Sequence, residues 1–164
     1  MNRIKNLIGG IGMAAVLTTG FIATMATPAM AHDTLCPYCK MKVLQDTKDM
    51  DNEVVLKYGL KKIEYRCVMC ALAQAKTKYK DKAELSIVAP SPVKDKPVTI
   101  TRKNGDWSSS PANAVFVFQK GNHAQCNELY RATADQATAR AWATKHNLKD
   151  AQYLSLKEMV EASK

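Results

Sequence analysis

The chain has 164 residues and carries 24 Lys and Arg against 15 Asp and Glu, a formal net charge of +9. Most of its lysines are scattered through Lys40 to Lys103 with acids between them and no interleaved aromatic pattern, which argues for a solvated surface and against a nucleic-acid face. Five cysteines are an odd number, so disulfide pairing within one chain leaves at least one thiol to another role.

At the N-terminus, Arg3 and Lys5 precede an apolar run from Leu7 to Met25, and Ala29-Met30-Ala31 is a small-x-small cleavage signal. Residues 1–31 therefore read as a Sec-type signal peptide. The run is short and rich in Gly and Thr, which disfavours a membrane anchor. No cysteine stands at the cleavage point to accept a lipid. The expectation is a soluble, exported, periplasmic protein without a stable membrane anchor after cleavage, folded as a single α+β domain over residues 32–164.

His32 would then open the mature chain, and an α-amine beside an imidazole chelates metal ions. Cys36-Pro37-Tyr38-Cys39, with Met41 two residues on, forms a knuckle that concentrates soft donors. Glu53 to Tyr58 reads as a strand, Gly59 as a turn, and the alternating Ile63 to Arg66 as the hairpin partner. From Cys67 the period becomes helical, with Val68, Leu72, Ala75 and Tyr79 on one stripe. Cys67 and Cys70 fall in its first turn, three residues apart on one face, where unpaired N–H groups and the dipole favour thiolates. Met69 lies between them.

Leu85 to Val88 is a further strand, and Pro90, Pro92 and Pro97 mark a stiff connection between two halves, about 32–89 and 98–164. In the second half Val98 to Arg102 alternates, Asn104-Gly105 signals a turn, and Ala114 to Gln119 is the most strand-like run. Thr133 and Gln136 read as a capping box for a helix from Ala134 to about His146, burying Ala134, Ala137, Ala141 and Trp142. Tyr153-Leu154 is a last short strand, and Ser155 with Glu158 caps a terminal helix. Each half thus runs strand, strand, helix, strand, the first treble-clef-like. His123 and Cys126 occupy in the second half the place that Cys67 and Cys70 hold in the first.

Two C-x-x-C pairs, one on a knuckle before a hairpin and one heading a helix, match a treble-clef or ribbon-type metal site. No strand precedes Cys36, so the thioredoxin-like redox context is missing, and neither pair is followed by His as haem attachment requires. The donor set comprises Cys36, Cys39, Met41, Cys67 and Cys70, with His32, Met69, His123 and Cys126 as further candidates. Thiolate with thioether selects Cu(I), whereas four thiolates alone suit zinc equally. A disulfide-stapled module is the metal-free alternative.

Cys36-x-x-Cys39-x-Met41-x-Val43, followed by a hairpin and a cysteine-headed helix, resembles the opening of YHS and TRASH-type metal-binding domains. The longer pattern, with Asp106-Trp107, Ala114 to Val117, Ala141-Trp142 and Tyr153 to Leu156, resembles the NosL family, periplasmic copper chaperones that assist nitrous oxide reductase. The resemblance implies Cys39 and Met41, with Cys36, as copper ligands. Lys40 departs from that family's usual glycine, and His123 to Cys126 stands where it carries Met-Gly. The expected function is a Cu(I) metallochaperone or copper-sequestration protein that hands copper to a periplasmic or membrane copper-accepting protein and binds no nucleic acid. The alternative is a zinc- or disulfide-stabilised interaction module. With no Ser-His-Asp or paired-carboxylate pattern, no enzymatic role is expected.

Overall fold

Alternation of β-branched and polar residues, punctuated by tight turns, gives most of the chain its extended structure. The computed structural model describes residues 34–43, 53–93, 95–120 and 128–163. Strands β1 (Val54–Tyr58), β2 (Lys61–Tyr65), β3 (Glu84–Ala89), β4 (Val98–Lys103) and β5 (Asp106–Ser110) form an antiparallel sheet in the order β2-β1-β3-β4-β5. A second antiparallel sheet, β7-β6-β8, comprises β6 (Val115–Lys120), β7 (Glu128–Thr133) and β8 (Gln152–Leu154). Helices α1 (Val68–Lys76), α2 (Gln136–Lys145) and α3 (Leu156–Ala162) complete an α+β fold.

The period-two pattern puts one face of the first sheet into the core. Leu56 pairs with Ile87 and Ile87 with Ile100, so three fully buried side chains form a row across β1, β3 and β4. Helix α1 packs on this face and also touches β7. A helix between two sheets must be apolar nearly all round, and Val68, Cys70, Ala71, Leu72, Ala73 and Ala75 are all buried. On the second sheet Phe116 faces this main core, and its neighbour Val117 faces the other way, against Ala139, Trp142 and Ala143 of α2.

Arg102 belongs to the same inward face of β4 as Val98 and Ile100. Burying a guanidinium is costly unless every donor is used. Its Nη1 donates to Ala75 O at 2.7 Å, and its Nη2 to Tyr79 O at 2.7 Å and Lys82 O at 2.9 Å, capturing carbonyls in the last turn of α1 and just beyond it. The Trp107 ring lies 5.5 Å from the guanidinium carbon. Lys76 Nζ donates to Val160 O and Ser163 O and so ties α1 to the end of α3.

The boundary expected at the proline stretch does not separate the sheets, because β3 and β4 pair across it from Glu84↔Lys103 to Ala89↔Val98. The hairpin β4-β5 thereby extends the first sheet. Its turn is the Asn104-Gly105 pair, with φ of 52° and 94°, the left-handed values a two-residue hairpin loop requires. Helix α2 starts two residues later than expected. Its cap is Asp135, whose Oδ1 accepts from the Thr138 N–H at 2.7 Å, while the Thr133 hydroxyl donates to Val115 O. The buried stripe of α2 is Ala139, Trp142 and Ala143, and Ala137 and Ala141 are exposed. Ser155 and Glu158 form the expected capping box on α3.

Arg102→Met keeps an unbranched apolar stem but strips the donors from those buried carbonyls. It should lower unfolding free energy by about 2–4 kcal/mol in denaturant titration, with helical ellipticity falling as the end of α1 frays.

Candidate functional site

The knuckle is closed by hydrogen bonds among its own residues. Leu35 and Lys42 form an isolated antiparallel bridge, Cys36 N–H donates to Met41 O at 2.8 Å, and Lys40 N–H donates to Cys36 O at 2.9 Å. Closing this loop places Lys40 at φ 62°, a region that costs a non-glycine residue about 1 kcal/mol. The Lys40 ammonium partly offsets that cost by donating to Pro37 O at 2.9 Å. The loop turns Cys36 and Cys39 inward, both essentially inaccessible to solvent.

Helix α1 brings the other pair. Cys67 is its N-cap residue, with extended backbone and no side-chain bond to the helix N–H groups, as expected of a weak acceptor. No acidic residue stands in the first turn, so the positive end of the dipole is left to the sulfurs. The ligand sulfurs of Cys36, Cys39 and Cys70 lie within 4.8 Å of one another. Cys67 Sγ donates to Cys70 Sγ at 3.5 Å. All four are buried and none is in a disulfide.

The structure thus assembles Cys36, Cys39 and Cys70 into one group, with Cys67 in contact with Cys70. Met41 and Met69 are partly buried against the same core. His32, His123 and Cys126 lie outside the described residues. Sequence reasoning missed two neighbours. Arg66 donates from Nη1 to Lys42 O at 3.1 Å, fastening knuckle to hairpin, and Tyr65 is fully buried with its hydroxyl making no hydrogen bond to the described residues. Adjacency to Cys67 was the available signal for Arg66, and the inward phase of β2 for Tyr65.

The environment is built for a thiolate at Cys36. A hydrogen bond from Cys70 is the largest influence, burial opposes it, and the backbone N–H groups of Arg66, Cys39 and Tyr38 add to the lowering, which carries the Cys36 thiol from the ordinary 9.0 to about 5. Tyr65 moves the other way, its proton held chiefly by burial and then by Tyr79 and the charge at Cys36.

Because its folded pKa is depressed, the Cys36 thiolate contributes stability that is fully present above the unfolded thiol value and is lost as pH falls toward 5. Ultraviolet absorbance of the reduced protein should show one thiolate persisting through neutral pH and titrating near pH 5. Cys36→Ser should remove that step and flatten the rise of stability with pH. A first thiolate appearing only in the ordinary thiol range would contradict this assignment.

The family model for alkylmercury lyases (MerB) matches residues 54–164. Among solved structures, that of the mercury-bound form of MerB2 aligns with a TM-score of 0.53 at 12% identity, covering 66% of this chain and 54% of that one. The chain therefore spans about half the length of that structural relative, and the likeness at this identity establishes a shared fold. No curated relative matches the chain.

These matches correct several expectations. The NosL and YHS resemblance had its sharp motif only in the knuckle at Cys36 to Val43, and over the rest of its pattern, from Asp106 to Leu156, it is overturned by the lyase match, which runs from β1 to α3. Copper, and zinc as its alternative, are overturned as cofactors, and with them the metallochaperone, the copper-accepting partner and the zinc- or disulfide-held module. The physical reason is that soft thiolates do not separate one soft ion from another. The non-enzyme reading falls because the matched family is one of enzymes. The periplasmic assignment falls with it, that family being cytoplasmic, and residues 1–31 lie outside the described residues. Among the described residues no helix is long and apolar enough to cross a membrane.

Proposed function

The chain belongs to the alkylmercury lyase family, and on that premise we propose that its buried thiols capture an organomercurial cation and cleave the carbon–mercury bond by protonation. The observation that carries the reading is the convergence of Cys36, Cys39 and Cys70 with Cys36 already acidic. An alkylmercury cation is a soft, two-coordinate electrophile, and a thiolate is the side chain it prefers.

The Cys36 thiolate displaces the ligand opposite the alkyl group, giving an alkyl–mercury–sulfur bond. Cys70 holds a thiol proton directed at Cys36. As its sulfur approaches mercury, electron density moves onto the carbon, and the thiol proton follows it there. The hydrocarbon leaves, and mercury(II) remains bridged between the Cys36 and Cys70 sulfurs. Every proton and bond is accounted for: one S–H and one C–Hg bond break, one C–H and one S–Hg bond form. Cys67, donating to Cys70 at 3.5 Å, steadies that thiol.

Burial serves this chemistry by strengthening the attraction between cation and thiolate and by keeping water from competing for mercury. It also means that the substrate enters as the knuckle parts from the head of α1. Exposed Leu35 and Tyr38 at the knuckle offer an apolar rim for the alkyl group.

Anaerobic incubation of the reduced protein with a methylmercury or phenylmercury salt and excess small thiol should release methane or benzene, measured by gas chromatography of the headspace. Cys70→Ser, which removes the soft acid, should slow release by about a hundredfold or more, roughly 2.7 kcal/mol at 1.36 kcal/mol per decade. Hydrocarbon release at the rate of small thiol alone would sink the lyase reading.

A further inference from the structure

Protonolysis needs two sulfurs, yet the cluster offers a third within the same 4.8 Å. The origins of the three differ. Cys70 lies inside the family match at residues 54–164, while Cys36 and Cys39 lie on the knuckle before it. We infer that the knuckle adds a third thiolate, making Cys36, Cys39 and Cys70 a three-sulfur site that retains inorganic mercury(II) after the hydrocarbon has gone. The inference rests on the reading that this cluster receives mercury, and it concerns the ion and not the cleavage.

Geometry favours three-coordination. Cys36 and Cys39 are fixed by the knuckle's own backbone bonds, from Cys36 N–H to Met41 O and from Lys40 N–H to Cys36 O. Cys70 is fixed by a helix buried between two sheets. The sulfurs therefore converge without metal, and little ordering cost remains for the third bond. When the ion binds, Cys39 gives up its proton and its sulfur joins mercury.

Charge is the second argument. One mercury(II) ion with three thiolates carries a net negative charge in a buried place, which demands compensation. The structure supplies it in the N-terminal end of α1, which has no acidic residue in its first turn, and in the backbone N–H groups of Arg66, Tyr38 and Cys39 directed at the Cys36 sulfur. These groups already serve the resting Cys36 thiolate, and they would keep an anion to face only if the mercury-bound site is itself negative, since a two-thiolate mercury site is neutral.

Retention has a consequence for turnover. An ion held by three sulfurs leaves stepwise, as an incoming thiol replaces one protein ligand at a time. Release should therefore respond to a dithiol far more than to a monothiol.

The test uses the reduced full chain and inorganic mercuric chloride, so that no carbon–mercury bond is involved. X-ray absorption of the one-to-one complex should count three sulfurs around mercury. Ultraviolet titration should develop the low-energy thiolate-to-mercury charge-transfer band of three-coordination. Cys39→Ser should lose that band and drop to two sulfurs, and Cys67→Ser should keep it. Two sulfurs in the parent protein would overturn the inference without reference to any variant. A three-sulfur complex in a protein that releases no hydrocarbon would uphold the site and defeat the lyase reading alone, so the two failures are distinguishable.

Discussion

The position of α1 is the constraint on which the site depends. It is buried between the first sheet and β7, with alanines at 71, 73 and 75 allowing close approach on several sides. Arg102, brought inward by the phase of β4, locks the carbonyls at its C-terminal end. A helix so held cannot rotate, and rotation matters because each residue turns the helix by about 100°. Small slippage would carry Cys70 away from Cys36 and Cys39. The carbonyl contacts of one arginine, at the far end of the helix from the sulfurs, thereby help to hold Cys70 in place.

At the other end of α1 the chain leaves out what most helices have. The N-cap cysteine makes no bond to the helix N–H groups, and no carboxylate occupies the first turn. The electrostatic demand of that end falls on sulfur, and the knuckle answers it with a thiolate that its own backbone N–H groups also stabilise. Lys40 in a left-handed conformation shows how tightly the loop must close to turn both cysteines inward. Tyr65, buried without a hydrogen-bond partner among the described residues, keeps its proton and so adds no second anion beside Cys36.

Much of this was legible in the residues. Strand-forming composition located β1, β3 and β6, alternation located β2 and β4, Asn104-Gly105 located a hairpin, and Ser155 with Glu158 located the start of α3. The misreadings have physical causes. Strand β5 is a run of serines after one tryptophan and lacks a strand composition. Helix α2 carries alanines on several faces, so periodicity alone chose Ala137 and Ala141 where packing chose Ala139 and Ala143. C-x-x-C spacing pointed to a cluster of four thiols with Met41, of which Cys36, Cys39 and Cys70 lie within 4.8 Å of one another. The cluster's chemistry was not legible, since a soft donor set fits several soft ions and a reaction run by thiols carries none of the histidine and carboxylate patterns by which enzymes are commonly recognised.

Native mass spectrometry of the reduced protein after one equivalent of an alkylmercury salt bears most directly on the central claim, because mass separates capture from cleavage. Cleavage at the Cys36–Cys39–Cys70 cluster predicts a species that has gained one mercury atom and retained no alkyl group. A persistent adduct holding both mercury and its alkyl group would contradict it.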